Sequence, residues 1–265
     1  SEKLKTLLSR SIANIFLKLG HSGSYFPPEL VKFVLEHCHT FENSLAVVET
    51  VSSFDVRCFD IDFTMRYFRQ KKIFKACANV YASVFGDLNA PIKDMIAILS
   101  GKQEESNIFG KVGKSDYKEI ANAFLWFLDL VLNNEEFNQI EDYSTKQQNI
   151  FSFLISATTT SLFEDGDIVY TKEVHAKEPL YPYLVLSLKL NGLAFLHLVE
   201  KVSITSAEYF NKLLNTLTTI LDGNVDNDEI SEKTTKLLGM FITLHLIDSS
   251  SKTYKKNTFF FIYDS

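Results

Sequence analysis

The chain has 265 residues, of which 46% are hydrophobic and 23% are charged, and its formal net charge is −6. These values suit a well-packed soluble protein made of one large domain or two joined ones. With only 10 glycines and 5 prolines, turns are scarce and elements are long. This composition favours helices over a nucleotide-binding α/β sheet.

The charge is unevenly distributed along the chain. Residues 1–101 carry 12 Lys/Arg against 10 Asp/Glu, whereas residues 102–265 carry 15 against 23. Since the acidic part would repel a polyanion, the balance argues against nucleic acid as a partner.

The cysteines and the apolar runs bear on the cellular compartment. Cys38, Cys58 and Cys77 are too few, and odd in number, for a disulfide framework. We therefore expect a reducing compartment, nuclear or cytoplasmic. The first 20 residues do not resemble a secretory leader, and polar residues interrupt the longest apolar run, residues 181–199, so we expect no membrane span.

Apolar spacing predicts six helices in the first hundred residues. The first ends at Gly20, with an apolar stripe formed by Leu4, Leu7, Leu8, Ile12, Ile15, Phe16 and Leu19. The second starts at two prolines, with a face formed by Leu30, Val31, Val34, Leu35 and Cys38. A third helix follows, with Thr40 as a candidate N-cap.

The stretches 59–70 and 71–86 predict two further helices, or one kinked helix, ending at Gly86. A short helix then precedes Gly101. Residues 102–115 are polar and contain two glycines, which indicates a long loop or a domain boundary.

The helical pattern resumes at residue 116 with a segment that is apolar almost all round, so we expect that helix to be central. Further helices are predicted on both sides of an irregular stretch at 164–179. We expect an N-terminal helical subdomain at 1–101, a C-terminal one at 116–250 packed on it, and a tail at 251–265, together forming one continuous helical-repeat unit.

The count is ten to twelve helices joined mostly by short loops, which predicts an all-α protein. So many helices cannot share one core, and the usual solution is stacked antiparallel helix pairs. We find no fixed period and no tetratricopeptide pattern of tryptophan, glycine and tyrosine. The prediction is an irregular HEAT/armadillo-like α-solenoid, with a compact helical-repeat domain as the alternative.

The most basic run lies at residues 66–75. It contains five cations interleaved with aromatic residues: Arg66, Arg69, Lys71, Lys72 and Lys75. At 100° per residue they point in all directions, and the helix break falls near residues 70–72, where the dipole favours cations. They form either a solvated corner or a surface that docks an acidic partner segment.

Other polar clusters do not predict chemistry. His37, Cys38 and His39 lack the spacing of a zinc site. Residues 222–233 resemble a calcium loop, but they carry Asn227 and Lys233 where glycine and glutamate are needed. Asp60 and Asp62 diverge on a helix, so Asp60 is better read as an N-cap. We expect no catalytic residue, metal or cofactor.

The tail carries Phe259, Phe260 and Phe261, an apolar end that either docks on its own last helix or binds a partner. The leading functional hypothesis is a non-enzymatic protein-interaction module, a scaffold subunit of a larger nuclear or cytosolic assembly. It would bind other subunits or an extended acidic peptide, and no small-molecule substrate. One alternative is a membrane-traffic tether or small-GTPase regulatory domain acting through loops 102–115 and 164–179. Another is a nucleic-acid-associated domain using the basic N-terminal third.

Overall fold

The computed structural model describes most of the chain. The described residues are 2–19, 25–38, 44–101, 103–133, 137, 140–156, 181–224 and 230–250. The N-cap predicted at Thr40, the stretch 164–179 and the phenylalanines of the tail lie outside the described residues.

The described residues form eleven α-helices and one two-stranded hairpin. The helices are α1 Glu2–Leu19, α2 Pro28–His37, α3 Ser44–Ser52, α4 Ile61–Lys71, α5 Phe74–Phe85, α6 Asn89–Leu99, α7 Tyr117–Asn133, α8 Tyr143–Leu154, α9 Pro182–Thr205, α10 Ala207–Thr219 and α11 Glu232–Ser250. Strands β1, Glu105–Ser106, and β2, Gly110–Lys111, pair antiparallel between α6 and α7. The all-α prediction is confirmed.

The chain divides into two compact units. Unit 1 comprises Ser1–Phe127 with Phe137–Glu141, and unit 2 comprises Leu128–Glu136 with Asp142–Ser265. Residues 103–115 lie within unit 1, and the division falls inside α7. Since compactness does not establish independent folding, the predicted subdomains stay a prediction.

The strongest helix contacts join helices one or two places apart along the chain. In unit 1, α1 contacts α2 and α3, α2 contacts α4, α3 contacts α5, and α5 contacts α4 and α6. In unit 2, α9 contacts α8, α10 and α11, and α10 contacts α11. Packing limited to near neighbours is the arrangement of helical repeats.

The buried face of α1 differs from the predicted one. Ser9, Ala13 and Phe16 are buried, and Phe16 packs its ring on those of Phe26 and Phe54. Phe16 belongs to the predicted stripe, but four other members of that stripe lie on the opposite side and are exposed: Leu4, Leu7, Leu8 and Ile15. Leu30, predicted on the apolar face of α2, is also exposed because it stands in the first turn of the helix.

Helix α7 is buried along most of its length, as expected of a helix that is apolar almost all round. Ten of its residues are buried: Ile120, Ala121, Ala123, Phe124, Leu125, Phe127, Leu128, Leu130, Val131 and Leu132. A helix that is apolar nearly all round is stable only when neighbouring elements cover most of its sides and remove its apolar side chains from water.

Helix α9 has a kink at its centre. Asn191 has φ −163° and ψ 89°, and its side-chain oxygen accepts a hydrogen bond from the backbone N–H of Ala194 at 3.1 Å. Asn191 thus acts as an internal N-cap that restarts the helix. Within the described residues α9 has the length and composition of a membrane span over Pro182–Ser203, but 61% of its most apolar window is buried inside the protein. The expectation of no membrane span stays a prediction.

Residues 103–112 form an anchored hairpin and not an open loop. Ile108, Phe109 and Val112 are buried, and Phe109 packs edge-on against Phe74 of α5. The Ser106 hydroxyl accepts hydrogen bonds from the backbone N–H groups of the first two of these residues. The segment is polar in sequence because its apolar side chains are few, yet all three point into unit 1.

Candidate partner-binding surface

The basic run lies where α4 ends and α5 begins. Lys72 follows α4 in the left-handed conformation, with φ 58°, and the backbone N–H of Ile73 donates to the carbonyl of Phe68 at 3.0 Å. This left-handed ending closes the helix and turns the chain toward Phe74. The predicted break is confirmed, and two separate helices replace the kinked alternative.

Arg69 and Lys72 hold the hairpin in place. The Nε of Arg69 donates to the Ile108 carbonyl at 3.1 Å, and its stem lies against Gly110. The Lys72 ammonium contacts the Lys111 carbonyl and lies 3.3 Å from the Asp116 carboxylate. Both cations therefore contribute to the fold, and their predicted role in partner binding stays a prediction.

Lys75 lies over an aromatic ring. Its ammonium nitrogen is 5.7 Å from the centroid of the half-buried ring of Trp126. That distance permits a cation–π attraction. Lys75 is thus the third of the five cations, after Arg69 and Lys72, that has a partner inside unit 1.

The remaining two cations are exposed on α4. Arg66 and Lys71 share one side of the helix with the half-buried rings of Phe63 and Tyr67 and with the exposed Gln70. These five residues, spaced at i, i+3, i+4, i+7 and i+8, are called the α4 face. The opposite side of α4 buries Thr64, Met65 and Phe68.

Contacts with α2 and with Cys38, which follows it, hold the two rings of the α4 face in place. The Tyr67 hydroxyl lies 2.9 Å from the sulfur of the buried Cys38, and burial raises the pKa of both groups. The Lys32 ammonium sits 4.9 Å from the centroid of the Phe63 ring and 3.8 Å from the Asp60 carboxylate. The rings therefore present defined surfaces, at little further cost in side-chain entropy when a partner binds.

The polar clusters weighed for metal binding have structural roles where they are described. Cys38, Cys58 and Cys77 are buried free thiols, and burial raises the pKa of Cys77 to about 12. The Nδ1 of His37 lies 2.8 Å from the Phe33 carbonyl in the last turn of α2. In the part of the chain that the structure describes, no group of three His, Cys, Asp or Glu side chains could hold a metal ion.

Asp60 caps α4 as predicted, because its carboxylate accepts a hydrogen bond from the backbone N–H of Phe63 at 3.2 Å. Of the calcium-like stretch 222–233, residues 225–229 lie outside the described residues. The same holds for the predicted partner-binding residues Phe259, Phe260 and Phe261, which therefore stay predictions.

The sequence analysis chose candidate partner-binding residues by their charge and therefore missed Phe63, which lies outside the basic run. The signal that could have found it is the helical spacing of Phe63, Arg66 and Tyr67, which places two rings beside a cation.

Helices packed on near neighbours in sequence within each unit define the class of the molecule as a helical-repeat protein, a class that offers extended surfaces to other proteins. The family model described as Vps8 central TPR matches residues 19–202, more than half of the chain. The chain belongs to this family. Helical repeats of this type are generally non-catalytic.

A curated relative is the Vacuolar protein sorting-associated protein 8 of Saccharomyces cerevisiae (strain ATCC 204508 / S288c). It is 21% identical over 194 residues, which cover 72% of this chain and 15% of the yeast protein. The chain therefore spans a small part of the length of that relative. No solved structure matches the chain. The family's description names tetratricopeptide repeats, although the sequence lacks the tryptophan, glycine and tyrosine pattern of that repeat.

Proposed function

We propose that the chain is a protein-interaction segment of a membrane-traffic protein, and that the α4 face binds an acidic segment of a protein partner. The observation that carries the proposal is the family match over residues 19–202. Of the hypotheses raised by the sequence, the membrane-traffic one is favoured because the yeast relative is named for vacuolar protein sorting. The scaffold role of the leading hypothesis is retained, and its nuclear or cytoplasmic location stays a prediction.

The composition of the α4 face supports a protein partner. Arginine and aromatic side chains are enriched in protein interfaces, and the face combines Arg66 and Lys71 with Phe63 and Tyr67. Charge complementarity then favours an acidic segment, since it raises the association rate and excludes basic competitors. The engaged cations Arg69, Lys72 and Lys75 are left out of the proposed surface.

The test is a double charge reversal, Arg66→Glu with Lys71→Glu, in the full chain. Proteins that co-purify with the wild type from cells are quantified by mass spectrometry and compared with those of the variant. We expect a subset to fall by about tenfold or more, because like charges replace complementary ones.

The matched control is Lys114→Glu with Lys118→Glu, which makes the same change in net charge at exposed positions outside the α4 face. If control and test variants lose the same proteins, the α4 face has no specific role. If the proteins lost only by the test variant act outside membrane traffic, that part of the proposal is wrong.

A further inference from the structure

Helix α5 exposes an aromatic ring at its carboxyl end. The Phe85 side chain is 58% exposed, the highest fraction for any phenylalanine among the described residues. Its ring packs on that of the half-buried Tyr81, one turn earlier, with 4.6 Å between the ring centroids and 45° between the planes. Single exposed leucines are ordinary, but an exposed ring seated on a second ring offers a defined aromatic surface.

The two rings continue a side of α5 that is covered nearer its amino end. Phe74, Ala78, Tyr81 and Phe85 follow one another at intervals of four, three and four residues and so share one side of the helix. Phe74 and Ala78 are buried, and the Phe74 ring packs edge-on against Phe109 of the hairpin. Cover of this apolar side therefore ends before the last turn of α5.

Two carboxylates lie beside the rings. Asp87 follows α5 closely, and its Oδ1 accepts hydrogen bonds from the backbone N–H groups of Asn89 at 2.9 Å and Ala90 at 3.0 Å. Burial raises the pKa of Tyr81, and the charges of Asp87 and Asp94 raise it further. Both carboxylates therefore lie close to the Tyr81 hydroxyl, so the border of the aromatic surface is acidic.

The two carboxylates differ in what they offer a partner. Burial raises the pKa of Asp94, whereas the Ser106 hydroxyl, which donates to it at 2.5 Å, and the charge of Lys93 lower it. Asp94 is thus engaged inside unit 1. Asp87 uses only Oδ1 in its hydrogen bonds to described residues, which leaves Oδ2 for an incoming donor. Tyr81, Phe85 and Asp87 are called the α5 patch.

The chemistry of the α5 patch selects a cation. The faces of aromatic rings attract positive charge, and arginine adds a planar group that stacks on a ring while its N–H groups pair with a carboxylate. The acidic border repels the phosphates of nucleic acids and of anionic membrane surfaces. A purely apolar segment would cover Asp87 without pairing its charge, which is costly.

We propose that the α5 patch binds an arginine-bearing segment of a partner protein. Guanidinium groups of that segment stack on the Phe85 ring and pair with Asp87. The patch lies on a different helix from the α4 face and selects the opposite charge, so this inference goes beyond the proposed function.

The test uses the full chain and a labelled glycine–serine peptide that carries three arginines. Fluorescence anisotropy should show saturable binding that weakens as salt is raised. We expect Phe85→Ala to weaken binding by about fivefold, because the ring that attracts the guanidinium is lost. Since Phe85 is exposed, this variant keeps the fold, which circular dichroism checks. Asp87→Asn, which keeps an oxygen to cap α6, should weaken binding by a similar factor.

Two matched controls lie outside the α5 patch. Tyr25→Ala removes an aromatic side chain that is 57% exposed, and Glu49→Gln neutralises an exposed carboxylate on α3. Both should leave binding of the arginine peptide unchanged. Arg66→Glu with Lys71→Glu should not weaken it, so the α5 patch and the α4 face fail or succeed separately.

Five results would overturn the inference. They are an absence of saturable binding, equal binding of a peptide with uncharged citrulline in place of arginine, equal binding by Phe85→Ala and Tyr25→Ala, binding to phosphatidylcholine vesicles that Phe85→Ala abolishes, and a dimer in sedimentation that Phe85→Ala dissociates. The last two would assign the rings to a lipid surface and to a second copy of the chain.

Discussion

At Gly192, two helices of unit 2 approach so closely that a side chain would collide. A Cβ at this position would lie 2.5 Å from the Cγ2 of Thr234 on α11, a distance that real Cβ atoms essentially never show. Threonine is stiff about χ1, so its methyl group cannot simply turn away. The glycine is therefore a packing requirement for the contact between α9 and α11.

Gly192→Ala should destabilise the protein by ~1–3 kcal/mol, since the strain of overpacking exceeds the gain in helix propensity. Urea unfolding followed by circular dichroism measures the change. Thr234→Ala, which removes the clashing methyl, should cost little by itself and should relieve most of the loss in the double variant. Simple additivity of the two changes would contradict a steric origin.

Two capping residues mark helix ends that can be predicted from the local sequence. Gly86 ends α5 with φ 64°, and Ser206 starts α10 by accepting the backbone N–H of Tyr209 at 3.3 Å. Both follow from local chemistry, since each cap satisfies groups within a few residues of itself. The collision at Gly192 is different because its partner lies far along the chain.

At the scale of elements, the Ser106 hydroxyl anchors the hairpin at 103–112 together with Arg69 and Lys72. Ser106 accepts hydrogen bonds from Ile108 N–H at 3.0 Å and Phe109 N–H at 2.9 Å, and donates to the Asp94 carboxylate at 2.5 Å. Burial raises the pKa of Asp94, and the bond from Ser106 opposes that rise. The hydroxyl thus joins the hairpin to α6.

Ser106→Ala should lower the free energy of unfolding by ~1–3 kcal/mol, because the buried N–H of Phe109 loses its bond to the hydroxyl and the Asp94 carboxylate loses a donor. Thermal and urea unfolding provide the measurement. Ser115→Ala is the control, since Ser115 is exposed and its hydroxyl is 3.5 Å from Asp116. An equal effect of both substitutions would contradict the anchoring role of Ser106.

Helix α1 shows the limit of periodicity at this scale. Apolar spacing predicted the helix correctly and included the buried Phe16 in its stripe, but it also assigned burial to Leu4, Leu7, Leu8 and Ile15, which are exposed. A helix with two apolar sides gives the same signal for either face, and the side chains of Ala13 and Ser9 are too small to mark the buried one.

At the scale of the whole molecule, stability should be local because the strongest contacts between the described helices join near neighbours in sequence. A defect in one unit then need not spread to the other. Cooperative units of this kind open separately and can be distinguished by amide exchange.

Hydrogen exchange of Gly192→Ala should accelerate in α9 to α11 and stay unchanged in α4 to α6. Ser106→Ala should show the reverse pattern, which makes each variant the control for the other. Mass spectrometry of peptic fragments measures both. A uniform increase in all helices would mean that the chain unfolds as one cooperative unit.

The sequence by itself determined the all-α class, the approximate number of helices in the described residues, the break within residues 66–75 and the extensive burial of α7. Each depends on apolar spacing or on caps, which act over a few residues. Only the tertiary structure decided which cations of the basic run are occupied. The groups that engage Arg69, Lys72 and Lys75 lie about 40 to 50 residues further along the chain, at Ile108, Asp116 and Trp126. Contacts between residues so far apart depend on how helices pack, and helical spacing carries no record of that packing.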